Sequence, residues 1–437
     1  VKTQTIVFTM LNEFGHINPT FKLAKALCAR GHDVRYLAIA DVAPRIEAQG
    51  FRVEPLYPDL YPPGVIAAEE SLPLLAKRRA ITARYRAVLK RLWTTPPMHT
   101  EHVEPALMLI DVTQTHFALW AHRNGTPFVH VTTSLPQTQD PGVPPLRSGS
   151  PYGTGALARA RGAFEWQRFL LKRRASGRVA GFGGMSPTYE LARLAAPRFG
   201  VASRDLDWRT LYMPQMRGVA ELVLCPESFD FPRPPRADRI YVESLDLARK
   251  EPEFPWDEIA PDKPLVYCAL GSQRYRPTEV PSLFRRLARV FRSRADWQMC
   301  LALGPHAWPS DLPCPPNVLL VERAPQLALL RRAQVMITHG GLGSVKECVM
   351  LGVPMLGVPL DIDQPGNVAR VVHHGVGLAA DVSQTTAEEL AWALHRLIHE
   401  QSFRDRIGAL RARFEETESA QRGADFVEAQ LAGRRSF

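Results

Sequence analysis

Apolar and polar positions change period twice within the first forty residues. Thr5-Ile6-Val7-Phe8-Thr9-Met10 is an apolar run of strand length. Phe21, Leu23, Ala24, Ala26 and Leu27 then fall on one helical face, closed by Arg30-Gly31. Asp33 to Ala38 reads as a second strand. Strand, helix and strand in that order predict a parallel α/β unit. Ala106 to Ile110 and Pro127 to Val131 are further buried strands, and Thr132 to Gly155 is a long loop rich in Pro, Gly, Ser and Thr. The series restarts at Leu265–Leu270, with a helix over 279–294 and strands near 298–303 and 317–321. Ala333–Ile337, a glycine-rich turn and a helix from Val345 to Leu351 follow, ended by Gly352 and Pro354. From Ala387 onward the pattern is helical, with interruptions expected near Ser402 and Gly408.

At 437 residues the chain is long for one core, so two domains are expected. Proline density between Cys225 and Pro264 marks the join, with Arg239–Val242 a short strand inside it. The expected division is 1–225, a linker at 226–263, 264–400, and a helical segment at 401–437 that packs back on the first domain. Six scattered cysteines without a C-x-x-C pair suit a reducing compartment. The chain enters a strand at once, so no signal peptide is expected, and no apolar run is long enough to span a membrane. A cytoplasmic protein is the expectation.

The net charge of +10 is lopsided. Lys plus Arg against Asp plus Glu is 30 to 20 over residues 1–238 and 24 to 24 over 239–437. Much of the surplus lies in a basic helical stretch over 66–95 and another from Arg159 to Arg178, the latter mixed with Phe164, Trp166 and Phe169. A solvated face, a greasy pocket wall and peripheral contact with a membrane all fit that pattern.

Candidate chemistry gathers at strand ends. His16 follows the first strand and Asp111 ends the strand before residue 112, so both belong to one sheet rim, where ligands of such sheets collect. A turn histidine and a helix N-cap aspartate are the plain alternatives. In the second series, Gly271-Ser272 and His339-Gly340-Gly341-Leu342-Gly343-Ser344 each place small residues after a strand, where free N–H groups can approach a phosphate. Ser344-Val345-Lys346-Glu347 also reads as a helix capping box. Asp361-Ile362-Asp363 has the D-x-D form of a metal site, but no further carboxylate pair stands nearby.

The order Arg323-Ala324-Pro325-Gln326, His339-Gly340-Gly341, Ser344, Glu347, Gly352-Val353-Pro354, Asp363-Gln364 and Asn367 resembles the donor signature of the inverting UDP-glycosyltransferase family. The Gly15-His16-Ile17-Asn18-Pro19 turn resembles that family's acceptor-side turn. The resemblance implies an α/β GT-B fold, two Rossmann-like doubly wound domains facing a cleft. It implies His16 as general base and Asp111 as its partner. Donor binding would fall to Gly271, Ser272, Arg323, Ala324, Gln326, His339, Gly340, Gly341, Gly343 and Ser344. Glu347 would take the ribose, and Asp363 and Gln364 the sugar hydroxyls, with no metal or cofactor. Arg323 departs from the frequent Trp that stacks on the base, and Leu342 from another, so the donor base stays open between UDP and dTDP.

The expected function is transfer of a hexose, from UDP-glucose, to a hydroxyl of a small lipophilic acceptor. A dTDP-deoxysugar transferase, a nucleotide-sugar epimerase of the same fold, and a basic nucleic-acid or membrane-surface binder are the alternatives. The retained G-H-x-N-P turn and the Asp363-Gln364 pair argue against nucleic acid as partner. Oligomeric state is not encoded in these features.

Overall fold

The structure is a computed structural model that describes residues 3–98, 104–178, 186–242, 245–249, 251–273, 276, 278–417 and 420–433. Its strands, in chain order, are β1 Thr5–Thr9, β2 Asp33–Ala38, β3 Arg52–Pro55, β4 Leu107–Asp111, β5 Phe128–Thr132, β6 Leu206–Asp207, β7 Gln215–Met216, β8 Glu221–Val223, β9 Arg239–Tyr241, β10 Leu265–Ala269, β11 Gln298–Ala302, β12 Val318–Val321, β13 Val335–Thr338, β14 Met355–Gly357 and β15 Gly377–Ala379. Seven form one parallel sheet in the order β3-β2-β1-β4-β5-β8-β9, and six form a second, β12-β11-β10-β13-β14-β15. A small antiparallel pair, β6 with β7, stands apart.

Strand order reverses between β1 and β4 in the first sheet and between β10 and β13 in the second. At such a switch point the connections leave to opposite sides and open a crevice at the strands' carboxyl ends. His16 follows β1 and Asp111 closes β4, so their strands are neighbours, in register with Ile6 beside Leu107. Gly271 follows β10 and His339 follows β13 in the same way.

The sheets are held by helices whose apolar faces meet them. Glu279–Ser293 buries Val280, Leu283, Phe284, Leu287, Ala288, Val290 and Phe291, the spacing of a single helical stripe. Each large side chain of that stripe contributes on the order of 1.5–3 kcal/mol. Thr386 and Glu389 form a reciprocal capping box on Ala387–His399.

Boundaries moved in three places. The basic stretch over 66–95 is two helices, Val65–Glu70 and Leu74–Thr94. Gly408 lies inside a continuous helix, Gln401–Thr417, where a Cβ would meet nothing within 4 Å, so an isolated glycine did not break it. The strand inside the proline-rich segment pairs with β8 as the edge of the first sheet. Helix Ala420–Leu431 lies on the first domain, where Gly423 faces Leu23 and Arg30 pairs with Glu428 at 2.8 Å.

Candidate functional site

Phe14–Ile17 makes one short helical turn after β1, and it presents His16 to the end of β4. His16 Nδ1 lies 2.7 Å from Asp111 Oδ2 and 3.0 Å from Thr133 Oγ1. The other oxygen of Asp111, Oδ1, accepts from the backbone N–H and hydroxyl of Thr113, at 2.9 and 2.7 Å. The next helix starts at Thr115 with Gln114 as its N-cap, so Asp111 does not cap it. One carboxylate therefore serves a turn with one oxygen and the histidine with the other. Nδ1–H is the donor in that arrangement, which leaves Nε2 as the basic nitrogen.

Asp111 has no exposed side-chain surface, whereas His16 keeps 23%. Burial pulls the imidazolium down, but the charge and hydrogen bond of Asp111, with Glu13 and Asp363 behind it, raise His16 to about 9. Burial would raise Asp111, and His16 with the Thr113 hydrogen bonds outweighs it, holding the carboxyl below its ordinary range.

Across the crevice, Asp363 is the N-cap residue of Gln364–His373 and is near enough to His16 for each to feel the other's charge. Burial raises Asp363. Asn367 donates from Nδ2 to Asp363 Oδ2 at 3.2 Å and to the carbonyl of Gly340 at 3.0 Å, tying the carboxylate to the glycine turn. Gln364 Oε1 accepts from the N–H groups of Leu360 and Asp361, which leaves its amide NH₂ as the group for a ligand. Asp361 turns away, to Arg147 of the opposite domain at 2.6 Å. Between the two aspartates Ile362 sits at φ 59, a left-handed conformation that a β-branched residue rarely adopts. The two carboxylates of the D-x-D stretch thus serve different partners.

The glycine turns close around His339. A Cβ on Gly271 would stand 2.7 Å from its Nε2, and one on Gly341 2.5 Å, so the ring is sandwiched where only glycines fit. Gly340 is at φ 85 against Val368. Burial lowers His339 to about 4, against a backbone hydrogen bond with Ala269 that raises it, so the ring is neutral near pH 7. The helix after it, Leu342–Leu351, begins three residues earlier than its apolar pattern predicts, with Gly341 as N-cap and no side-chain cap. Ser344 is inside that helix, so the capping-box alternative falls. The first N–H groups of the helix carry no side-chain cap and stand beside Gly343, where a Cβ would meet nothing within 4 Å.

Glu347 is engaged from both sides. Arg249 Nη1 reaches Oε1 and Gln326 Nε2 reaches Oε2, each at 2.5 Å. Gln326 Nε2 also lies 3.2 Å from Ser344 Oγ, and Tyr267 donates its hydroxyl to Gln326 Oε1 at 3.3 Å. Ala324 packs on the adjoining core, and Arg323 is exposed at the mouth, with Arg45 of the first domain close enough to feel its charge and that of Arg249. Ser272 is exposed after β10. Thr133, Arg147 and Arg249 carried no motif and were not foreseen.

A cleft with a His–Asp pair on one rim and two glycine turns with free helix N–H groups on the other can deprotonate a nucleophile opposite a bound phosphoester. Residues 207–415 match the family model described as UDP-glucoronosyl and UDP-glucosyl transferase. The chain is a glycosyltransferase that resembles this family over that span. An oleandomycin glycosyltransferase of Streptomyces antibioticus is 26% identical over 96% of this chain and 89% of its own length. A zeaxanthin glucosyltransferase of Pantoea ananas is also 26% identical, over 95% and 93%. A solved glycosyltransferase structure, that of kitacinnamycin, superposes with a TM-score of 0.71 at 22% identity, covering 98% of this chain and 99% of that one. The fold of this glycosyltransferase is GT-B, two Rossmann-like domains face to face.

Proposed function

We propose that this glycosyltransferase moves a hexose, from UDP-glucose, to a hydroxyl of a small lipophilic natural-product-like acceptor, with inversion and without a metal. The observation that carries the reading is the His16–Asp111 pair, its free Nε2 on the rim facing Asp363. Nε2 takes the acceptor proton as the hydroxyl oxygen attacks the anomeric carbon, and Asp111 stabilises the imidazolium that forms. Attack from the His16 side and departure of the diphosphate on the other invert the centre. The leaving phosphate meets the N–H groups at the start of Leu342–Leu351, Ser344 and the ring of neutral His339, with Gly271-Ser272 alongside. Asp363 accepts from sugar hydroxyls and Gln364 donates to them. Glu347 takes the ribose by sharing its carboxylate with Arg249 and Gln326. Relatives acting on zeaxanthin and oleandomycin, by their names, support a lipophilic acceptor.

A dTDP-sugar is the second reading, because Arg323 stands where an aromatic ring would discriminate bases, and a guanidinium lies flat on either pyrimidine. Transfer from labelled UDP-glucose and dTDP-glucose to a panel of lipophilic alcohols, with the product anomer read by NMR, tests both. A retained anomeric configuration, or donor turnover indifferent to every acceptor, would remove the direct-displacement reading.

A further inference from the structure

Three helices of the first domain, Leu74–Thr94, Ala156–Arg178 and Ser186–Ala195, pack side by side, the last against both others. The first two carry seven basic residues each, against no acidic residue in one and one in the other. The inner face of Ala156–Arg178 is fixed. Trp166 is buried and donates to the carbonyl of Val143 at 2.8 Å, and Arg173 donates to the carbonyls of Thr210 and Trp208 at 2.7 Å. Glu165, its one carboxylate, is taken by the hydroxyls of Ser148 and Ser150.

That anchoring leaves Leu157, Phe164 and Leu171 outward at seven-residue spacing, 86%, 67% and 60% exposed. Exposed Arg161, Arg168 and Lys172 stand among them. An open hollow at the same end is bounded by Gly155, Leu157, Ala160, Arg161 and Phe164. The neighbouring helices add exposed Leu75, Ile81 and Leu194, and Leu74–Thr94 adds exposed Arg79, Arg86 and Lys90. A solvated basic face has no use for aromatic and leucine side chains held in water, and an ordinary apolar interface would not be so uniformly cationic. Among the described residues no helix is long and apolar enough to cross a membrane, so the contact is with a surface.

We propose that this helical layer docks on an anionic phospholipid bilayer. Leu157, Phe164 and Leu171 enter the headgroup boundary, and the surrounding arginines and lysines pair with lipid phosphates. Charge complementarity selects anionic lipid over zwitterionic. The layer adjoins the long loop 132–155, which Trp166 and Glu165 hold, so docking places the acceptor side of the cleft next to the lipid.

Flotation of the full chain with vesicles of phosphatidylcholine alone, or phosphatidylcholine with phosphatidylglycerol, at low and high salt, tests this. Binding is expected only with phosphatidylglycerol and is weakened by salt. Each basic residue near an anionic surface is worth about fivefold in partition, so Arg161→Glu with Arg168→Glu should lower binding by roughly 25-fold or more. Leu157→Ser, Phe164→Ser and Leu171→Ser together should release the protein from the same vesicles. Both variants should keep the wild-type melting profile, because every altered side chain is exposed. Equal recovery of wild type in the unbound fraction under all conditions overturns the proposal. So does vesicle binding that neither variant changes. Concentration-dependent dimers that the serine variant abolishes, without vesicle binding, would give the face to a second copy instead.

Discussion

Gly366 donates its backbone N–H to the carbonyl of Leu146 at 2.7 Å, and a methyl group added at Gly366 would stand 2.5 Å from that oxygen. Leu146 belongs to the loop of the first domain and Gly366 to the first turn of the helix that Asp363 begins. The two domains therefore touch, backbone to backbone, within a few residues of Asp363 and Gln364. The neighbouring Arg147–Asp361 ion pair closes the same seam.

Gly366→Ala should force that seam open. A displacement of about 1 Å near the reacting groups can cost about a hundredfold in rate, so turnover should fall by roughly 10–100-fold. The melting temperature should change little, because the contact is local. Steady-state kinetics on the purified variant check this, and wild-type turnover would mean that the seam opens during catalysis anyway.

The raised pKa of His16 sets the pH profile. Its folded value, about 9, lies above the ordinary 6.5, so the ring is protonated at neutral pH in the empty cleft, and only the deprotonated ring can act as base. The rate should climb from neutral pH into the alkaline range, with kcat/KM levelling off near the pKa of His16. Asp111→Asn removes the largest raising influence, so the limb should move to lower pH while the plateau falls. His16→Ala should cost about 10²–10⁴-fold in kcat at unchanged donor affinity. A profile that Asp111→Asn leaves in place would assign the limb to another group.

The divergence of Asp361 and Asp363 predicts unequal mutants. Asp361 pairs with Arg147 where both are partly exposed, and such pairs are worth about 0–1 kcal/mol. Asp361→Asn should be mild. Asp363→Asn should lower kcat/KM strongly, since it removes an acceptor that is tied to the glycine turn through Asn367. Activity should also survive excess EDTA. Loss on chelation with rescue by Mg²⁺ would hand the D-x-D stretch back to a metal.

What was legible in the sequence was what strands and glycines write locally. The switch-point strands β1, β4, β10 and β13 are apolar runs; Asp111 ends β4, Gly271 and His339 follow β10 and β13 within two residues, and His16 lies in the short turn after β1. The start of the helix Leu342–Leu351 was misplaced because Leu342 and Gly343 read as part of a loop. Leu342 is buried in the core, and tertiary packing overrides the weak propensity of Gly343. Arg147, Arg249 and Gly366 were invisible for a different reason. Each meets its partner across a separation of roughly one to two hundred residues, and no periodicity records such a meeting.

Arg370 is the deepest of these long-range partners. It lies on the helix that Asp363 begins, its side chain 1% exposed, and its Nη2 is 2.6 Å from Asp230 Oδ1, itself 1% exposed. Arg233 holds Asp230 from the other side at 2.5 Å and reaches Asp140 at 2.6 Å and the carbonyl of Pro136 at 3.2 Å, in the long loop of the first domain. One buried carboxylate thus joins the helix Gln364–His373 to the long loop of the first domain. Burial raises Asp230, but two guanidiniums outweigh it and keep it ionised. Arg370→Ala would leave a buried charge with one partner instead of two, together with a cavity, at a cost on the order of 3–5 kcal/mol. Thermal unfolding should shift downward by several degrees. Arg370→Lys keeps the charge but cannot keep both the Nε bond to Asp230 and the Nη1 bond to the carbonyl of Gly366, each at 2.8 Å, and should recover only part of the loss. If the network also sets the cleft, turnover of Arg370→Lys should fall more than its stability does, at temperatures where it is fully folded. Wild-type turnover in that folded variant would confine Arg370 to stability alone.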